Sequence, residues 1–337
     1  MSRYVSRSVL LLLITVVIVC GIYPGVVWVI GHIFFPFQAE GSLLMGPDGQ
    51  VVGSKLVAQP FTKDEYFQPR PSAASYDASA SSSSALAPSN YALRDRVART
   101  LGPIAKYQSG PKTGQLVAPD IEGWFQQDHY QGKPGIVAQW ADLHNGLAAA
   151  WVSADPTHAS YVDTWAKAHT AIVADWIKAN PNTPQPKAVD LAVVFFENFS
   201  KENPGQFPSA VTKTGADGKP QTTVEPVKDG SDIQSIFFDM WRQDHPDLDL
   251  QNIPGDVVTT SGSGLDPHIT LENAEFQLDR VASKWAADKK RDVATVRSEI
   301  DQILLQNAAA PFNGLAGEKL INVLEVNLEL RKRYGAP

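Results

Sequence analysis

Apolar positions are distributed very unevenly along this chain. From Val9 to Ile30 no side chain carries a formal charge, and Arg3 and Arg7 stand just before the run. A span of about 20 apolar residues crosses a bilayer as a helix. Residues 9–35 are therefore predicted to form a transmembrane helix, with residues 1–8 on its near side. The run passes through Tyr23, Pro24 and Trp28 to Phe34 and Phe35 without a small-x-small cleavage site, which favours a retained anchor over a cleaved leader. Val9 and Leu13 lie in its first, purely apolar half, and Pro24 predicts a kink. Tyr23, Gly25 and Gly31 leave room for a partner helix to approach. Trp28, Phe34, Phe35 and Phe37 can form an aromatic belt at the far interface. Arg3 and Arg7 precede the span while Glu40 and Asp48 are the first formal charges after it, so the N-terminus is expected in the cytoplasm and the body outside, in a bacterium the periplasm.

After Glu40 the pattern is that of a folded polar body. Ser42–Met45 and Gln50–Ala58 flank Gly46-Pro47-Asp48-Gly49, which reads as two strands joined by a tight turn. Tyr66–Asn90, rich in Pro, Ser and Ala, looks by itself like a flexible linker. Leu93, Val97 and Leu101 repeat at helical spacing. Val162, Trp165, His169, Ile172 and Trp176 share one face of a helix with Ser160 as its cap and Asn180-Pro181 as its stop. Ile233, Ile236, Phe237, Met240 and Trp241 form a second such face behind Ser231, and the polar stretch Lys201–Lys228 between them reads as a loop. Asn252–Pro267 is Gly/Ser-rich and expected to be irregular. Thr270 caps a helix with the stripe Ala274, Leu278, Val281 and Trp285. Asp292 caps another with Val293, Val296, Ile300 and Ile303 facing inward. Leu324, Val326, Leu328 and Leu330 alternate with Glu325, Asn327 and Glu329, the pattern of a half-buried strand.

Composition narrows the classes. The chain has 337 residues and a net charge of −7, which gives no electrostatic support to nucleic-acid binding. Its single cysteine, Cys20, lies in the span, so the body holds neither an internal disulfide nor a thiolate metal site. Eight Trp and fourteen Phe supply apolar surface for a core instead.

The search for chemistry yields little. The chain has no phosphate-binding loop of the Gly-Lys-Ser/Thr type. Lys112-Thr113-Gly114 and Lys213-Thr214-Gly215 share part of the phosphorylation motif of P-type pumps, but Pro111 and Thr212 stand where that motif needs aspartate. Ser109 and Lys112 have the spacing of a penicillin-binding nucleophile pair, with nothing to complete the set. His129, His144, His158 and His169, with Asp128 and Asp142, raise a metal site as one reading, although His169 fits a core position equally. The densest polar stretch is Thr260–His268. Its hydroxyls, glycines, Asp266 and His268 precede a helix start, where an anion can be held or where the loop simply satisfies its own backbone.

Several strings together resemble the C subunit of the Kdp-type potassium-transporting ATPase. They are the single span followed by Phe35–Leu44, then Val52-Gly53-Ser54, Tyr66–Ala73, Thr260–Ile269, Arg280-Val281-Ala282 and Asn322–Leu328. Ala85 and Ala87 depart from the family pattern, while Pro88 and Asn90 remain. The resemblance implies an α+β body, split between residues 41–105 and 247–337, interrupted by a mainly helical insertion at 106–246. It makes Tyr66–Asn90 part of the fold and Arg70 a fixed cation able to pair with a carboxylate. It implies an inner-membrane accessory subunit with no catalytic residue, metal or cofactor of its own. ATP, Mg2+ and K+ belong to the implied complex, and the partners are its P-type ATPase subunit, its potassium-conducting subunit and membrane lipid. Such a subunit supports assembly and raises nucleotide affinity in the ATPase subunit; with the body outside, that effect must travel through the complex. Arg70, Ser261, Ser263, Asp266 and His268 are the contact candidates. The rival readings are an anchored metal-dependent hydrolase using the histidines and an anchored solute-binding protein using Ser261–His268.

Overall fold

The charge-free run is helical along its length. Ser2–Val16 and Tyr23–Phe34 are α-helices joined by a π-helical turn, Val17–Ile22. Pro24 accounts for the irregularity: it has no N–H to donate, and its ring clashes with the carbonyl four residues back in a regular helix. The preceding turn widens, and Tyr23 N–H donates to the Ile18 carbonyl, five residues back. Arg3–Phe34 spans 32 residues, about 48 Å at 1.5 Å per residue, more than the ~30 Å of a hydrocarbon core. None of its most apolar window is buried within the protein, and Val9, Leu13, Tyr23, Pro24 and Trp28 are all exposed. The helix is thus long and apolar enough to cross a membrane.

The computed structural model describes residues 2–46, 49–87, 89–214, 218–310, 314 and 317–335. Pro47, Asp48, Pro88 and Gly215, which entered the sequence reading, lie outside the described residues. The chain divides into two compact units, 1–85 with 253–337, and 86–252. Residues 86–105 and 247–252, grouped with the flanks in the sequence reading, lie in the second unit.

The first unit carries the anchor helix, the hairpin Leu43–Met45/Val51–Ser54, a short antiparallel pair His268–Thr270/Leu320–Asn322, and three helices, Leu271–Lys289, Val293–Asn307 and Val323–Tyr334. Thr270 and Asp292 cap the first two of these helices as expected, each accepting from the N–H three residues on. Ala274, Leu278, Val281 and Trp285 are buried on one stripe. Val296, Ile300 and Ile303 are buried as expected, but Val293, in the first turn, is exposed. The segment read alone as a linker is structural: Phe67 is fully buried in this core.

The C-terminal element is a helix, not a strand. Asn322 Oδ1 accepts the Glu325 N–H and starts it. Its buried residues, Val323, Leu324, Val326, Asn327, Leu330 and Tyr334, fall on one side of a 3.6-residue helix, while Leu328 is only half-buried. Leu and Glu are strong helix formers, and over seven residues the two periodicities coincide.

The second unit is mainly helical around an aromatic core. Trp140 stands edge-on to Phe196 and Phe207 at 5.1 and 5.7 Å, and Phe207 to Phe237 at 5.5 Å. Tyr91–Leu101 is helical as the spacing predicts, with Asn90 as its cap. The helix read across 160–180 is two, Pro156–Ala168 and Thr170–Ala179, broken at His169; the cap is Asp155, not Ser160. Ile233–Trp241 likewise lies on two short helices, Ser231–Ile236 and Phe238–Asp244, with Gly230 rather than Ser231 in the cap position. Lys201–Lys228 is not a loop. Phe207–Thr214 pairs with Pro220–Val227 in an eight-residue antiparallel register. Its prolines misled the reading, yet in a two-stranded sheet each strand has a free edge that tolerates a missing N–H.

Candidate functional site

Thr260–His268 is held by the very segment that looked like a linker. Ser82 N–H donates to Ser263 O at 3.0 Å, Ser84 Oγ lies 3.0 Å from Thr260 Oγ1, and Ala58 N–H donates to Leu265 O at 2.8 Å. Gly264 sits at φ +70°, and a Cβ there would meet Ser82 O at 2.6 Å. Glycine is thus required both by the left-handed backbone and by the close approach. Ser72 Oγ donates to Gly264 O and accepts the N–H groups of Ala74 and Tyr76.

Arg70 is fixed, but not by a carboxylate. Its guanidinium donates to Thr259 O, Thr259 Oγ1 and Thr260 O at 3.2–3.4 Å. The expectation of an ion pair is corrected to a cation that ties two carbonyls of the loop, and Tyr76 OH donates to the Arg70 carbonyl from the other side. The Arg70 charge still acts on Asp266: the hydrogen bond from His268 first, and the more distant guanidinium last, hold that carboxyl below the usual range against the effect of burial.

Ser261 is buried, and its hydroxyl accepts the Asp266 N–H; the Ser263 hydroxyl accepts the Leu265 N–H. Asp266 Oδ1 accepts the His268 N–H at 3.0 Å and lies 2.9 Å from His268 Nδ1. The five candidate residues are therefore brought to one loop and its wall. A Ser-His-Asp mechanism needs a hydroxyl on the far imidazole nitrogen, whereas the Ser261 and Ser263 hydroxyls accept from the loop backbone and that of Thr260 pairs with Ser84. What reaches the surface is a shallow depression shared by Leu56, Val57, Pro267, Asp266 and His268. Its lining is partly apolar and bears one acidic–imidazole pair.

The histidines of the middle segment are dispersed among local partners. His129 Nδ1 contacts Gln127 O, His144 Nε2 the Tyr91 hydroxyl, His158 Nδ1 Trp151 O, and His169 bridges Trp165 O and Glu202. Among the described residues no group of three His, Cys, Asp or Glu side chains is placed to hold a metal ion.

The sequence reading missed the side chains that build the wall. Asn327 Oδ1 accepts Phe67 N–H and its Nδ2 donates to Phe67 O, both at 2.9 Å. Gln277 treats Gln68 in the same way, at 2.8 and 3.0 Å. Arg280 donates to the carbonyls of Asp64 and Tyr66, and Trp285 Nε1 to that of Glu65. An extended segment with no strand beside it is thus hydrogen-bonded by side chains of two helices. The only signal was an amide on an otherwise apolar helix face.

A long apolar helix able to cross a membrane, leading into a mixed α+β body, defines the class of chain. Comparison with known proteins gives the particular family. The family described as "KdpC: K+-transporting ATPase, c chain" matches residues 5–121 and 232–332, and the chain belongs to it. It is 46% identical over 123 residues to the potassium-transporting ATPase KdpC subunit of Pseudomonas putida strain W619, covering 36% of this chain and 67% of that one. It is 43% identical over 123 residues to the KdpC subunit of Pseudomonas entomophila, covering 36% and 66% of the two chains. With that of Pseudomonas syringae pv. tomato the figures are 44% over 108 residues, and 32% and 57%. The chain thus aligns with about two thirds or less of its relatives' length. Residues 122–231 fall outside the family match.

Proposed function

We propose that this chain is the non-catalytic accessory subunit of an ATP-driven potassium uptake complex, held in the inner membrane by its N-terminal helix. The observation that carries the reading is the family match on both sides of residues 122–231, starting within the anchor helix itself. The relatives are named as subunits of a potassium-transporting ATPase. The partners are then the P-type ATPase subunit and the potassium-conducting subunit, and ATP, Mg2+ and K+ are bound by those subunits. Arg3 and Arg7 before the span favour a cytoplasmic N-terminus and a periplasmic body. From there the body cannot touch ATP, so it promotes nucleotide binding by preferring one state of the complex over another.

The depression around His268 is the contact face for a partner subunit: Leu56 stands 62% exposed beside it, and Arg70 and Ser261 keep the loop rigid beneath it. Residues 122–231 are an insertion carried by that subunit. Affinity capture of the full chain from gently solubilised membranes tests the assignment. Both partner subunits should be recovered, and Leu56→Asp should release them while leaving the chain in the membrane. Recovery of the chain alone from potassium-starved cells would overturn the reading.

A further inference from the structure

We propose that the hairpin Leu43–Met45/Val51–Ser54 and the end of the C-terminal helix form a second membrane contact, one that reads anionic phospholipid. The inference rests on the anchor helix spanning the bilayer, as proposed above.

Three observations meet here. The first is position. Phe35 ends the anchor helix, and the short helix Pro36–Ala39 turns back on it, so that a methyl at Gly31 would lie 3.8 Å from the Ala39 Cβ. Leu43 is four residues beyond Ala39, at most about 14 Å of chain. Ser42 N–H donates to Phe37 O at 2.8 Å, Ser54 Oγ to Gly41 O at 2.7 Å and Lys55 N–H to Ser42 O at 2.9 Å. The base of the hairpin is therefore tied to the mouth of the anchor, at the depth where lipid headgroups lie.

The second is apolar exposure. Leu43, Met45 and Val51 are 41, 60 and 52% exposed, on a hairpin of only three residue pairs, an exposed apolar edge that marks a contact surface. Phe35 and Phe37, between the hairpin and the anchor, are exposed as well. In the headgroup layer, such side chains can bury themselves against acyl chains.

The third is charge. Met45 and Gly46 share an open groove with Leu328, Glu329, Lys332 and Arg333 of the C-terminal helix. The last turn of that helix carries Arg331, Lys332 and Arg333 in succession, on a chain whose net charge is −7. Glu329 accepts from Asn307 Nδ2, and Arg333 is paired with Glu299. Lys332 is exposed, and among the described residues no carboxylate lies within ion-pair distance of it. An apolar edge beside a free cation fits a phosphatidylglycerol-like surface, each such cation favouring it about fivefold.

The test uses the full chain with Cys20→Ser and Met45→Cys, labelled at position 45 with an environment-sensitive fluorophore. It is reconstituted into vesicles of phosphatidylcholine alone or mixed with phosphatidylglycerol, with nitroxide at headgroup depth. The probe should shift to the blue and be quenched, more strongly with phosphatidylglycerol. Lys332→Glu should weaken the difference at least fivefold. A probe at Leu305→Cys, exposed on another helix of the same unit, should stay unquenched. Equal quenching at positions 45 and 305, no dependence on phosphatidylglycerol, or shielding only when the potassium-conducting subunit is co-reconstituted would each overturn the proposal. Flotation after alkaline carbonate reports the anchor separately. A chain that floats but is unquenched refutes the lipid contact alone, and a chain that fails to float refutes the anchor as well.

Discussion

Asn327 is 1% exposed, and both atoms of its amide are used on the backbone of Phe67. Its replacement leaves a buried N–H and a buried C=O without partners, at about 1–3 kcal/mol each when unmet. Asn327→Leu is expected to cost about 2–6 kcal/mol, read as a lowered thermal midpoint of the chain in mild detergent, whereas Glu272→Gln in the first turn of another helix should cost far less. Glu299 offers a second check. Hydrogen bonds from Arg291 first, then Tyr334 and Arg333, hold its carboxyl down at about 2, below the ordinary 4.5, while the Tyr334 hydroxyl is pushed up to about 12, chiefly by burial and then by Glu299. A depressed carboxyl contributes stability that is present above its unfolded value and is lost as pH falls through its folded one. The stability difference between the parent and Glu299→Gln should therefore be complete above pH 4.5 and vanish toward pH 2. Neither role was legible in the sequence. Asn327 sat among leucines as the polar half of an apparent alternation, and Glu299 finds Arg333 and Tyr334 only once two helices have packed.

Elements with a cap and a long apolar stripe were legible, because both signals are local. The helix Leu271–Lys289 begins at Thr270 and buries the stripe that its spacing prescribes. Where the run was short the reading failed. The Leu324–Leu330 alternation is too brief to separate a period of 2 from one of 3.6. The break at His169 also has no local marker: Trp165 accepts from both the backbone and the ring of His169, ending one helix where the apolar face continues into the next. The polar loop 260–268 was found by its composition, but its support was not, since hydrogen bonds from Ser72, Ser82 and Ser84 span more than 170 residues of sequence. Gly264 tests that support. Gly264→Ala combines a left-handed backbone with a Cβ at 2.6 Å from Ser82 O, and strain of this kind costs on the order of 1–3 kcal/mol before any clash. The expected result is loosening of 79–84 from the loop, measured as faster limited proteolysis there than in the parent.

The boundary of the family match and the boundary of the folded units do not coincide. The match ends at 121 and resumes at 232, while the second unit runs from 86 to 252. Ile121 and Phe125, on either side of the first limit, are buried in one core with Phe237 and Trp241. Removing 122–231 would therefore strip Ile121, Phe237 and Trp241 of their cover. Removing 86–252 and closing the gap with a short Gly/Ser linker would leave the first core intact. The second deletion is expected to give a chain that runs as a single species on size exclusion in detergent and melts cooperatively, and the first a chain that aggregates. Texture along the sequence changes near residues 106 and 246, whereas the second unit runs from 86 to 252. It could not place the seam, because a seam is set by which apolar side chains share a core.

One unit is continuous in sequence and the other is not, and this orders their appearance on the ribosome. The anchor and residues 42–85 emerge first, but their core waits for Leu278, Val296 and Val326. Meanwhile residues 86–252 are made and can close on themselves. At 5–20 residues per second, these 167 residues (252 − 86 + 1) take roughly 8–35 s. Through that interval Phe67 and its neighbours stand open, and a chaperone has its opportunity to engage them before the closing helix arrives.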